Sequence, residues 1–149
     1  MHLRLASLFL LSTLGLTAQD PKFSGPSGVN PPVSESDIRI VRRAREILDS
    51  PAKWNRADNR ECPATQRTYS LYCALEKATE EVSKSFAHRG AAMQQARFVI
   101  DEVLAKGNHY EHRLKDYNND PKTTFADVQK FFTLLEDRIQ KRLATQSHQ

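Results

Sequence analysis

Residues 67–82, RTYSLYCALEKATEEV, constrain the fold more than any other stretch of the chain. Leu71, Leu75, Ala78 and Val82 recur at the steps of a helix, and Tyr72, Cys73 and Ala74 widen the apolar face. A face that broad has to be covered from more than one side. The spacing predicts a helix from Arg67 or Thr68 to about Ser85, at the centre of a small helical domain. Glu76, Glu80 and Glu81 mark its wet side.

Three further patterns supply neighbours. Ser34 and Asp37 have the spacing of a capping box ahead of Ile38, Val41, Ala44 and Leu48, with Ile40 and Ile47 alongside. A helix over about 34–49 follows, stopped by Pro51. Its outer side carries Arg39, Arg42, Arg43 and Arg45, which read as a solvated face in preference to a patch for an acidic partner. Ala92, Ala96, Val99 and Val103, with Met93, Ile100 and Leu104, predict a helix over 91–106 that ends at Gly107. Its alanines would approach those of the Cys73 helix. Thr124 and Asp127 repeat the capping-box spacing, opening the cleanest stripe in the chain: Phe125, Val128, Phe132, Leu135, Ile139 and Leu143, flanked by Phe131 and Leu134. That stripe predicts a helix over 125–143 packed on the Cys73 helix. Tyr110, Leu114 and Tyr117 add a short helix between the last two. The expected fold is all-α, a small bundle of four main helices plus one short helix over 34–143, with a frayed tail at 144–149.

What precedes the domain points to export. Residues 1–18, MHLRLASLFLLSTLGLTA, run from a basic start at Arg4 through an apolar stretch shorter than a membrane span, to Ala18 at a cleavage position. A signal peptide is the reading, and a retained anchor is the alternative. Residues 19–33 hold four prolines and two glycines and predict a flexible linker. Loss of Arg4 takes the formal charge from +4 to +3. Both signs interleave along the remaining chain, which is not the clustered basic footprint of a nucleic-acid binder. No other segment is apolar and long enough to cross a bilayer. The expected location is outside the cytoplasm, in a bacterial periplasm or the medium.

Two cysteines in an exported chain predict a disulfide, Cys62–Cys73. Their Cα atoms must come within about 6 Å. A helix beginning at Thr65 would carry Cys73 about 12 Å along its axis and leave Cys62 little chain to fold back. A start at Arg67 or Thr68 leaves slack. No CxxC pair is present, so redox chemistry is not expected.

The polar segments hold the candidate sites. Trp54 opens the loop WNRADNRE and is expected to fold back over the core edge. Tyr117, Asn118 and Asp120 belong to a turn, YNNDP, before the last helix. If the two turns meet, Trp54, Tyr117, Asn118 and Asp120 could hold a small ligand. His109, His112 and Asp116 would share one face of a helix and could hold a metal such as zinc, although no strict ligand signature is present. Two functions follow. The first is a non-enzymatic module that binds a protein partner or an envelope component, with no cofactor. The alternative is a metal-dependent hydrolase using His109, His112 and Asp116, with Asp120 in support.

Trp54 after a first helix, Cys62 or Cys73 near an ALEKA run at 74–78, and the Tyr117–Asp127 turn and helix start together resemble a bacterial family known only as a domain of unknown function. The likeness covers most of residues 41–143. The chain departs from it in its export segment and in the extra Asn of the turn. The resemblance implies a small helical fold and brings no activity.

Overall fold

The computed structural model describes residues 30–147. Five α-helices follow one another: α1 (Glu35–Ile47), α2 (Leu71–Ser83), α3 (Ala91–Val99), α4 (Arg113–Asn119) and α5 (Phe125–Gln146). A single 3-10 turn at Pro51–Lys53 follows α1. The all-α expectation holds. The expected signal segment and most of the expected linker lie outside the described residues.

Both capping boxes form. The Ser34 N–H donates to Asp37 Oδ2 at 2.8 Å, and at α5 Thr124 and Asp127 satisfy each other's N–H groups at 3.2 and 2.9 Å. Asp37 does more than local spacing shows. Its other oxygen accepts from the Ala92 N–H at 3.0 Å, so one buried carboxylate serves the first turns of α1 and α3 together.

The hub is α1 and not α2. α1 packs on α2, α5 and α3, whereas α5 packs chiefly on α1 and α3. The reason lies in the width of its apolar face. Ile38, Ile40, Val41, Ala44, Ile47 and Leu48 are all buried, which is enough to contact three partners. Two packing expectations are corrected as a result: neither the phenylalanines of α5 nor the alanines of α3 take α2 as a main neighbour. The broad face of α2 is covered instead by α1, α4 and the loop tied to it through Cys62. The outward arginines of α1 tie helices together. Arg42 pairs with Glu136 of α5 at 2.7 Å, and Arg43 reaches Glu81 of α2. Such exposed pairs contribute at most about 1 kcal/mol each.

Two boundaries differ from expectation for identifiable reasons. α2 starts at Leu71, later than expected, because Tyr69 is held extended beside Trp54 by two backbone bonds, Asn55 N–H to Tyr69 O at 2.9 Å and Tyr69 N–H to Lys53 O at 2.7 Å. Ser70 then caps the helix, its hydroxyl accepting from the Cys73 N–H at 3.2 Å. α3 passes into a π-helical turn at Ile100–Leu104, where the Ala105 N–H reaches back five residues to Ile100 O. The extra residue moves Val103 off the stripe, leaving it 47% exposed while Ile100 and Leu104 are buried. Gly107, at φ +87°, closes the segment as expected.

At the other end, the last residues of the expected linker are packed. Val33 is buried, and the Gln146 carboxamide bonds both its N–H and its C=O at 3.1 Å. Asn30 accepts from the buried Gln95, which in turn accepts from Arg138 at 2.8 Å. α5 therefore continues to Gln146, past the expected stop at 143.

The α5 stripe brings the core its largest fully buried side chains. Phe131, Phe132, Leu135 and Ile139 are fully enclosed, and Phe131 and Phe132 pack edge to face at 5.3 Å. Burial of one such ring contributes about 1.5–3 kcal/mol, and a cavity adds to its loss. Phe132→Ala is expected to lower stability by at least about 3 kcal/mol in urea unfolding. An unchanged midpoint would show that this ring is not in the core.

Candidate functional site

The two polar turns meet, and Asn118 joins them. Its side chain is 0% exposed, on the last turn of α4. Oδ1 accepts from the Trp54 indole N–H at 2.8 Å and from the Leu71 N–H at 3.1 Å. Nδ2 donates to Asn55 O at 2.9 Å and to Asn119 Oδ1 at 3.0 Å. Two donors facing the oxygen and two acceptors facing the nitrogen determine which way the carboxamide points. Leu71 is the first residue of α2, so Asn118 also satisfies one of the amides a helix start leaves unpaired.

Asn119 extends the joint. It donates to Asp58 O at 2.9 Å and accepts from the Asp58 N–H at 2.8 Å, much as a neighbouring strand would. Arg56 donates to the carbonyls of Asp120 and Pro121 beyond the end of α4, with its guanidinium 5.0 Å over the Trp54 ring. The ring itself rests on Phe125 at 6.2 Å. Asp58 is buried, its Oδ1 accepting from the Arg60 N–H at 2.6 Å and its Oδ2 lacking a partner among the described residues.

The structure thus brings Trp54 and Asn118 together as a structural joint with every polar site of Asn118 engaged. Tyr117 and Asp120 line a separate recess, of about 170 Å³, beside Lys106, Lys122 and Lys130. Burial, with Asp127 and Tyr110 nearby, raises the Tyr117 phenol well above its ordinary range. The Lys122 N–H, and then the Tyr110 hydroxyl at 2.8 Å, hold the Asp120 carboxyl below its usual range. Cys62 and Cys73 are disulfide-bonded, with Cα atoms 5.4 Å apart.

His109, His112 and Asp116 do not share a helix face. α4 begins only at Arg113, because Asp116 folds back to accept the His112 N–H at 2.8 Å and so starts the helix after it. His109 lies outside the helix and exposed. Among the described residues no group of three His, Cys, Asp or Glu side chains could hold a metal ion.

A second recess, of about 180 Å³, opens between α2, α3 and α4. Arg60, Tyr72, His88, Arg97, His112, Arg113 and Lys115 line it, with Glu111 the one acid among them. Arg113 is paired with Asp101 at 2.9 Å. Among the described residues Arg97 bonds only neutral acceptors: the Gln94 side-chain oxygen, the His88 carbonyl at 3.1 Å and His88 Nε2 at 3.0 Å. A guanidinium cannot accept, so His88 Nε2 must be the acceptor and carries no proton. The neutral ring then holds its proton on Nδ1 and donates it to the Tyr72 hydroxyl at 3.3 Å. Burial first, then Arg97, Arg60 and Arg89, lower the pKa of His88 below its ordinary 6.5.

The model of a family of unknown function, DUF6197, matches residues 32–138. The chain belongs to that family. Comparison with curated proteins and with solved structures finds no match. The matched region runs from the start of α1 into α5, so the Asn118 joint, the disulfide and the basic recess are all parts of the DUF6197 domain. Sequence reasoning named Trp54 and Asn118 but missed the recess. Its residues come from a loop, the α2–α3 turn and three helices, with no spacing to connect them. The one local signal was Arg97, the one charged residue of α3, between the buried Ala96 and Val99.

Two outcomes follow. Asn118→Ala leaves the Leu71 and Trp54 N–H groups buried without an acceptor, and should cost at least about 2 kcal/mol in denaturant unfolding. A smaller loss would mean that water reaches the joint. His88 binds a proton more weakly in the folded than in the unfolded chain, so its contribution is complete above about pH 6.5 and declines as pH falls below that value. Between about pH 7 and about pH 5.5 the melting temperature should drop more for the wild type than for His88→Gln. Parallel curves would contradict the assigned ring state.

Proposed function

We propose that this protein is an exported, non-enzymatic module that binds a protein partner or an envelope component. The observation that carries the reading is the open, cation-lined recess between α2, α3 and α4. In the irregular segments, Asn118 and Asn119 hold the Trp54 loop, Asp116 holds the start of α4, and Asp120 holds the turn after it. These side chains act on backbone and on each other, which suits a rigid presenting surface. Rigid presentation lowers the ordering cost of binding.

Export is supported by two features. The Cys62–Cys73 bond persists in oxidising compartments. Residues 1–18 carry a basic start followed by an apolar run, the pattern of a secretion signal. Among the described residues no helix is long and apolar enough to cross a membrane.

The experiment is expression of the full chain with a C-terminal tag in its native cells, intact-mass measurement of the exported fraction, and affinity capture from the envelope. The expected product begins at Gln19, has the mass deficit of one disulfide and recovers a specific partner. A chain that keeps Met1 and two free thiols would overturn export. Recovery of no specific partner would overturn the binding role.

A further inference from the structure

We propose that the recess between α2, α3 and α4 is a site for an anionic tetrahedral oxyanion, the phosphate or sulfate group of a small ester, with Arg97 and Arg60 as its principal ligands. This deepens the binding reading above and rests on it. The first observation is the state of Arg97. Elsewhere in the domain Arg42, Arg43, Arg113 and Arg138 each have a carboxylate partner, whereas the exposed Arg45 and Arg56 bond neutral oxygens and Arg142 bonds the Pro31 carbonyl. Arg97, partly buried, has no carboxylate partner among the described residues and bonds only to a carboxamide oxygen, a carbonyl and an imidazole nitrogen. Sinking a guanidinium among neutral groups is unfavourable unless a counter-charge completes its shell.

The second observation is convergence. Arg60 comes from the cross-linked loop, Arg97 from α3, and Arg113 and Lys115 from α4, yet all face one cavity with a single acid, Glu111, on its wall. Arg60 is set by local geometry. It adopts φ +63°, with its N–H on the buried Asp58 carboxylate, and Cys62 two residues later is bonded to α2. Like charges brought together on rigid elements repel one another, and the repulsion is felt at both Arg97 and His88, whose charged forms are disfavoured by burial and by the neighbouring arginines. An oxyanion in the cavity would reverse the sign of that interaction. Arginine forks match tetrahedral oxyanions two N–H groups at a time. The volume of about 180 Å³, open on one side, leaves room for the remainder of an ester.

The test is isothermal titration of the disulfide-intact protein with inorganic phosphate, and separately with sulfate, against chloride at matched ionic strength. Saturable one-to-one binding of either oxyanion is expected, and the tighter of the two identifies the source of the group. Arg97→Gln should weaken it by about tenfold or more, as loss of a charge-assisted pair implies. Arg60→Gln, on an exposed side chain whose loss leaves the core intact, should weaken it severalfold. Arg39→Gln, the same charge change on the outer face of α1, should leave it unchanged. No saturable heat beyond chloride, or equal affinity in the Arg97 and Arg60 variants, would overturn the site. A partner captured from the envelope by a protein that binds neither ion would leave the binding role standing and remove this site alone.

Discussion

A carboxamide with no access to water holds this domain in one arrangement. Asn118 sits where three elements meet, and each of its four hydrogen-bonding positions is met by a different group: an indole, a helix-start amide, a loop carbonyl and a neighbouring amide oxygen. Buried polar networks are favourable when complete and costly when one member is missing, so this one selects a single docking of the 54–70 loop. From that docking the rest follows. Trp54 is laid against the start of α5, Asp58 is paired to Asn119, and Arg60 is turned toward α3. The Cys62–Cys73 bond fastens the middle of the same loop to α2. Loops of this length usually lie loosely on a surface. Here the loop is fastened at its start and at its middle, which makes a cavity wall of a segment with little regular structure.

Beneath the joint, the bundle is organised by α1. Its buried side is broad enough to receive α2, α3 and α5, and Asp37 adds a polar contact at its N-terminus that sets where α3 begins. Packing of this kind places α3 and α2 at either side of the recess without making them close partners. The gap between them is where Arg97, His88 and Tyr72 come together. The cavity is a consequence of the topology: two helices bound to a common third, with a cross-linked loop and α4 closing the sides.

What was legible in the sequence was local. Ser34 with Asp37 and Thr124 with Asp127 bond within three residues, so their spacing alone locates two helix starts. The α5 stripe, Val128 to Ile139, is legible because its period is that of the helix it forms. The disulfide was legible from the expected export segment and the even number of cysteines. What was not legible depends on partners distant in sequence. The late start of α2 comes from Tyr69 pairing with Trp54, fifteen positions earlier, and the π-helical turn that exposes Val103 leaves no mark in hydrophobic period. The His109, His112 and Asp116 face was an inference from spacing on a helix that begins later than the spacing assumed. Trp54 and Asn118 were correctly suspected of meeting, but their chemistry is that of a joint. Arg60, His88, Arg97 and Arg113 had nothing in common until the fold brought them to one wall.

The central claim is that the Trp54 loop, α2 and α4 are a single unit locked through Asn118. Hydrogen exchange of two protons reads it directly: the Leu71 amide and the Trp54 indole N–H, both bonded to Asn118 Oδ1. If the claim is right, both exchange only when the whole domain unfolds, with the same protection as the core amides of α1 and α5 and the same dependence on denaturant. Exchange of either proton at the rate of an open loop, while α1 and α5 remain protected, would contradict it.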